Sequence, residues 1–341
     1  MPSLPTRFGV TTLETWLRCP LKVLYGADRH LPRRRDPAAL IGSALHATLD
    51  DLAKDKGVDV VASFERRWNS LLGGRNFRET RLVVPEDRLE RARRFVWSMS
   101  TARQRGRAQT TTEVTLASSS GNVVGTIDRL RRGPSGEPSI FEVKTGAVTS
   151  NRLKTYRDQL VSYAYLLADS GGGLALRGAL LFVLAGGVVR QSWTAEEVAA
   201  RGALLEESAS DILATHAVTP QHGRVSDECN RCDYRPWCPA FWSVYQRTVR
   251  SEDANIPIAG AEILVREVVE SKGQLLIVGA SDRKPIDLLV TLADYPHAAA
   301  LQAGALARVT DVLLSPLGRL RLRLTKGSEV FVISHRPRGA V

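Results

Sequence analysis

Residues 122–144 read NVVGTIDRLRRGPSGEPSIFEVK. Two apolar, β-branched runs flank the turn-forming stretch from Arg132 to Pro138, and this spacing predicts a β-hairpin buried on at least one face. Asp128, Glu142 and Lys144 lie inside those runs. Glu142 and Lys144 are two residues apart, so on a strand they point to the same face. Carboxylates and an ammonium on a buried strand are costly unless they are paired or bind a cation. The pattern therefore points to a divalent metal held by Asp128 and Glu142, with Lys144 beside it. Such a grouping hydrolyses phosphodiesters: the metal polarises the phosphate and acidifies a water, while the lysine orients that water or steadies developing charge. The competing reading is a surface hairpin with an ordinary Glu–Lys pair, and so short a pattern does not by itself choose between them.

The sequence before the hairpin is helical. Residues 11–25 form a helix interrupted at Pro20, with Leu13, Trp16 and Leu17 as its apolar stripe and Cys19 at the break. Residues 38–53 carry Ile41, Leu45, Leu49 and Leu52 at helical spacing, with Gly42 and His46 on a neighbouring face. A histidine alone in this setting is more often a core or surface residue than a ligand. Residues 59–107 are helical and basic, with ten arginines and four acids between Arg75 and Arg107. The period then changes to two over residues 110–117, which make a strand ahead of the hairpin. After the hairpin come a helix over 151–169, with Gln159 and Tyr163 one turn apart, a buried strand over 179–185, and a helix capped by Thr194 that runs to about His216. This order describes an α/β domain with a mixed sheet whose first three strands are antiparallel.

Net charge is +11. Residues 1–250 hold 36 basic and 26 acidic side chains, whereas residues 251–341 hold 11 and 10. The basic excess thus belongs to the part that carries the hairpin, which suggests a polyanionic partner such as nucleic acid; a generally arginine-rich proteome is the bland alternative. No apolar run reaches the length of a membrane span, and the N-terminus lacks the apolar stretch of a signal peptide, so a soluble cytoplasmic protein is expected.

Cysteines in such a compartment are not expected to form disulfides. Cys229, Cys232 and Cys238 fall within ten residues of one another, and the fourth cysteine is the distant Cys19. Four thiolates can hold zinc or an iron–sulfur cluster, although zinc sites usually draw on two local pairs rather than a 1 + 3 split. Either metal would staple distant parts of the chain together.

From about Ser251 only strands are expected, over 260–269, 273–279, 286–293, 305–314, 318–325 and 329–334, with one short helix over 295–303. A helix after the third strand suggests an oligonucleotide/oligosaccharide-binding (OB) barrel. Arg319, Arg321 and Arg323 alternate with leucines and share a face that could guide a DNA strand or simply be the wet side of the barrel. With Tyr295 and Phe331 as its only aromatics, the segment is poorly equipped for base stacking. The expected division is a nuclease domain over 1–250 and an OB-like barrel over 251–341.

Taken together, these residues resemble the RecB-type branch of the PD-(D/E)XK nucleases, in the form with an iron–sulfur staple, as in the CRISPR-adaptation exonucleases and the AddB nuclease domain. The resemblance covers roughly residues 10–245 and rests on motifs in order: Cys19-Pro20, Gly42-x-x-x-His46, Gly125-Thr-Ile-Asp128, Glu142-Val-Lys144, Gln159-x-x-x-Tyr163, and Cys229, Cys232 and Cys238. It implies a central mixed sheet flanked by helices. It implies that His46, Asp128, Glu142 and the Val143 carbonyl hold Mg2+ or Mn2+, that Asp128, Glu142 and Lys144 are catalytic, and that Gln159 and Tyr163 position DNA. It also implies a [4Fe–4S] cluster on Cys19, Cys229, Cys232 and Cys238. Relatives more often carry Asp where this chain has Glu142, and the barrel is not part of their usual plan. The implied activity is a metal-dependent DNA nuclease acting on single strands or ends, in repair, recombination or defence. No helicase P-loop is present, so unwinding would need a helicase or other protein partner. A non-catalytic DNA-binding scaffold and a zinc-containing regulator are the competing functions; the filled catalytic positions argue against the first and the lack of zinc-finger spacing against the second.

Overall fold

The computed structural model describes residues 6–28, 31, 37–55, 57–72, 84, 86–104, 110–146, 148–226, 228, 229, 232–245, 256–281, 284–315 and 320–333. They form two compact units. One comprises Met1–Arg18, Arg35–Asn76 and Leu82–His216, and the other Cys19–Arg34, Phe77–Arg81 and Ala217–Val341. The cysteine-bearing segments thus fall in the same unit as the C-terminal strands.

In the first unit the chain runs β1 (Phe8–Gly9), α1 (Val10–Arg18), α3 (Pro37–Lys54), α4 (Val60–Leu72), α5 (Glu86–Gln104), β2 (Thr110–Ala117), β3 (Val123–Arg132), β4 (Pro138–Lys144), α6 (Ser150–Asp169), β5 (Arg177–Phe182), β6 (Val188–Ser192) and α7 (Ala195–Ala214). The intervening α2 (Pro20–Ala27) belongs to the second unit. The sheet order is β1-β3-β4-β5-β6, with β2 also paired to β3. β2, β3 and β4 are antiparallel, as expected, and β4–β5 is parallel, so the sheet is mixed. Val123, Ile127, Ile140, Val143 and Leu180 are buried along the central strands, and α6 packs over β3 and β4. Thr194 and Glu197 form a reciprocal capping box that starts α7, since each satisfies a backbone N–H the other's turn leaves free.

Two strands escape the sequence reading. β1 is only two residues long and exists because Phe8 and Gly9 pair with Val123 and Val124. β6 follows Gly186 and Gly187, whose φ values of 76° and 98° make the turn back from β5. The basic stretch expected to be helical over 59–107 is two helices, α4 and α5.

In the second unit, the last five strands are β7 (Ile256–Ser271), β8 (Gln274–Ser281), β9 (Lys284–Thr291), β10 (Leu306–Ser315) and β11 (Leu320–Ile333). They close in the order β10-β11-β9-β8-β7, with β11 parallel to β9 and every other pair antiparallel. The barrel is the OB-like arrangement expected, filled by Ile263, Ile277, Ile286, Leu288, Val309 and Val330 among others. The two segments read as separate strands over 318–325 and 329–334 are one strand, and the helix after the third strand is a 3₁₀ turn at Pro296–Ala300. No helix among the described residues is long and apolar enough to cross a membrane.

Candidate metal-dependent active site

The hairpin builds the site by coming apart at one end. The β3–β4 ladder ends at Arg129↔Phe141. The next backbone donors turn to carboxylates: the Val143 N–H donates to Asp128 Oδ2 at 2.6 Å, and the Asp128 N–H lies 3.5 Å from Glu142 Oε1. Asp128 and Glu142 are buried, at 6% and 2% exposure. Lys144 Nζ donates to Glu142 Oε2 at 2.9 Å and to Gln159 Oε1 at 2.7 Å, and it sits 5.0 Å from the Tyr156 ring. Gln159 Nε2 in turn donates to the Tyr163 hydroxyl at 2.9 Å. Gln159 and Tyr163 are therefore tied to the lysine, and the buried Tyr163 stands behind Gln159.

Two motif glycines explain how α3 and α6 come so near the sheet. A Cβ on Gly125 would lie 2.8 Å from the Tyr163 ring, and one on Gly42 3.0 Å from Thr145 Oγ1. Thr145 also donates to the Ala38 carbonyl at 2.8 Å. This contact seats α3 at the end of β4, so that His46, one turn beyond Gly42, reaches the carboxylates.

His46 Nδ1 lies 3.2 Å from Asp128 Oδ1 and 3.8 Å from Glu113 Oε1. Burial alone would depress the imidazole, but hydrogen bonding and charge from Asp128 and Glu113 outweigh it and hold its pKa at about 10. Burial pushes the Glu142 carboxyl up to about 7, against the pull of Lys144. Burial likewise works against the Lys144 ammonium, but Glu142 and Asp128 raise its pKa above the usual value, so it stays charged. Such a pocket of carboxylates that gathers protons is one in which a divalent cation would replace them.

Among the described residues, the one set of three potential ligand atoms within 4.8 Å of one another is His46, Glu113 and Asp128. Glu142, expected to share the ion with His46, is not in this set and accepts from Lys144 through Oε2. Glu113 was not singled out in the sequence, where it is one charge in the strand-forming run TTTEVT.

The cysteine segment is a separate site. Cys19 caps α2, and Cys238 lies between a 3₁₀ turn at Arg235–Trp237 and α8 (Pro239–Tyr245). Cys19, Cys229, Cys232 and Cys238 line one recess with Leu21, Tyr25 and Phe241. Burial raises the thiol pKa of Cys232, and that of Cys238 to about 11. No three of these thiols lie within 4.8 Å of one another. A tetrahedral zinc site, with Zn–S bonds of ~2.3 Å, would need sulfurs ~3.8 Å apart.

Arg321 and Arg323 are exposed on the outside of the barrel, with Leu322 buried between them, as their alternation predicts. Arg319 lies outside the described residues.

A sequence model of the PD-(D/E)XK nuclease superfamily matches residues 7–239, which include the metal-site residues and all four cysteines. No curated protein matches the chain. Among solved structures, SSO0001 is 17% identical over 70% of this chain and 88% of that one, with a TM-score of 0.35. The HINb domain of p204 is 19% identical over 24% of this chain and 42% of that one, with a TM-score of 0.22. A murine DNA-binding protein bound with double-stranded DNA is 10% identical over 66% of this chain and 94% of that one, also with a TM-score of 0.22. These likenesses are too loose to add to the assignment.

Proposed function

We propose that this chain, which belongs to the PD-(D/E)XK nuclease superfamily, is a metal-dependent deoxyribonuclease of the RecB type that acts on single-stranded DNA or DNA ends. One observation carries the reading: Lys144 is held between Glu142 and Gln159 beside the His46–Asp128 pair, all within the matched span.

The ligands assigned to a Mg2+ or Mn2+ ion are His46, Asp128, Glu142 and the Val143 carbonyl. When bound, the ion polarises the scissile phosphate and lowers the pKa of a water. The chain's own groups do the rest. Glu142 and Gln159 fix the Lys144 ammonium where it can orient that water and meet the charge that develops on the phosphate. Tyr163 keeps the Gln159 amide turned so that its carbonyl, not its NH2, faces the lysine. Gln159 and Tyr163 are also assigned to positioning the DNA strand.

The same reading assigns Cys19, Cys229, Cys232 and Cys238 to a [4Fe–4S] cluster. That all four cysteines line one recess supports a group shared among them. Its role is structural, in the unit that carries the barrel. The exposed Arg321 and Arg323 are proposed as phosphate contacts.

The test is cleavage of end-labelled single- and double-stranded DNA, with free and blocked ends, in Mg2+, Mn2+ or EDTA. Cleavage that needs the metal and disappears in Lys144→Ala, with DNA binding retained, supports the proposal. Lys144→Ala cleaving at the wild-type rate would show that the site is misplaced.

A further inference from the structure

Glu113 sits in the middle of β2 with φ of 52°, a left-handed conformation that an L-residue with a side chain seldom adopts in a strand. Its neighbours pair normally, Thr112 with Arg129 and Val114 with Ile127, so the distortion is confined to the one residue that falls opposite Asp128. Directly opposite residues of an antiparallel pair share a face, and the Glu113 carboxylate lies beside His46 and Asp128. Oε1 is buried there, 3.8 Å from His46 Nδ1 and without a hydrogen-bond donor among the described residues. A strained residue that brings this oxygen to a histidine and a second carboxylate makes sense if a cation joins them.

We propose that Glu113 is a ligand of the active-site divalent cation, together with His46 and Asp128. This rests on the proposed nuclease reading and adds to it a ligand from β2 outside the hairpin. Two carboxylate oxygens with one imidazole nitrogen, within 4.8 Å of one another, suit an oxygen-preferring ion such as Mn2+. Glu142 also holds Lys144, through Oε2.

The experiment measures Mn2+ binding rather than cleavage, by electron paramagnetic resonance of free Mn2+ in titrations of the full-length wild type, Glu113→Gln and Glu113→Gly. Melting temperatures with and without Mn2+ are recorded alongside. Glu113→Gln is expected to bind Mn2+ at least tenfold more weakly. Glu113→Gly removes both the buried anion and the backbone strain, so without metal it should melt no lower than wild type and yet lose the Mn2+-induced rise. A merely structural Glu113 predicts the reverse: lower melting without metal and an unchanged Mn2+ affinity. Wild-type affinity in Glu113→Gln overturns the proposal. Wild-type protein that binds Mn2+ tightly but cleaves no DNA would instead sink the nuclease reading, leaving the ligand assignment standing.

Discussion

Asp311→Ala tests whether the barrel holds the cysteine segment in place. Arg235 lies between Cys232 and Cys238 and is only 2% exposed. Its guanidinium meets Asp311 of β10 in a two-pronged contact, at 2.7 Å and 3.3 Å. Arg308 of the same strand donates to the Pro236 carbonyl and lies over the Trp242 ring, and Trp237 packs edge-on against Phe331 of β11. Removing one partner of a buried pair typically costs about 3–5 kcal/mol, because the other charge keeps its desolvation penalty. Asp311 is a third exposed, which places the expected cost near the lower end, about 3 kcal/mol. For a unit of this size that is roughly a 6–12 °C fall in melting temperature. Asp311 also has φ of 55°, a conformation that asparagine tolerates well. Asp311→Asn should therefore recover part of the loss while lacking the charge. The assay is urea unfolding of full-length protein, with thiol reactivity of the four cysteines followed in parallel. The cysteines should become more reactive in Asp311→Ala before global unfolding. A cost below about 0.5 kcal/mol, within the range of ordinary surface substitutions, would refute the reasoning, as would unchanged thiol reactivity.

Three further outcomes are expected. Gly125→Ala should push the Tyr163 ring off Gln159 and destabilise the protein by about 1–3 kcal/mol, with a loss of cleavage larger than the loss of DNA binding; melting and single-turnover cleavage measure these separately. Protein purified without oxygen should be brown and contain about four irons per chain, and Cys19→Ser should lose both colour and stability, whereas colourless protein with one tight zinc would sink the cluster. Replacing Arg321 and Arg323 together with alanine should lower the log–log salt slope of single-strand binding by ~1–2 units; an unchanged slope with a lost oligomer or complex would assign that face to a protein partner instead.

Much of the fold was legible because its signals are local. Charges inside the apolar runs of β3 and β4 located the site, Thr194 marked the start of α7, and strand count and order foretold the barrel. The two glycine-bearing motifs could be recognised, but their physical meaning, close approach to Tyr163 and Thr145, needs helices and sheet together. β1 and β6 were missed because their pairing partners, not their own residues, make them strands. The placement of the cysteine segment with the barrel was equally hidden. Arg235 reads locally as a solvated cation, and its partner lies 76 residues away.

The residues that stayed unread share one physical device. Glu113 and Asp311 are both acids with positive φ inside a strand, at 52° and 55°. Asp311 falls at the shift in the β10–β11 register between Thr310 and Val312, and Glu113 drops out of the β2–β3 ladder. An extended strand sends alternate side chains to opposite faces, which fixes where a carboxylate can point. At each of these left-handed positions the acid meets a cationic partner, His46 in one unit and Arg235 in the other. Glycine or asparagine is the usual signature of that conformation, so an acid there gives sequence reading nothing to notice. The backbone cost, ~1–3 kcal/mol for each such residue, persists only where the surroundings over-determine it. For Asp311 the bidentate arginine offsets it within the fold. For Glu113 the pairing with His46 leaves Oε1 without a donor among the described residues, and a cation held with His46 and Asp128 would satisfy it.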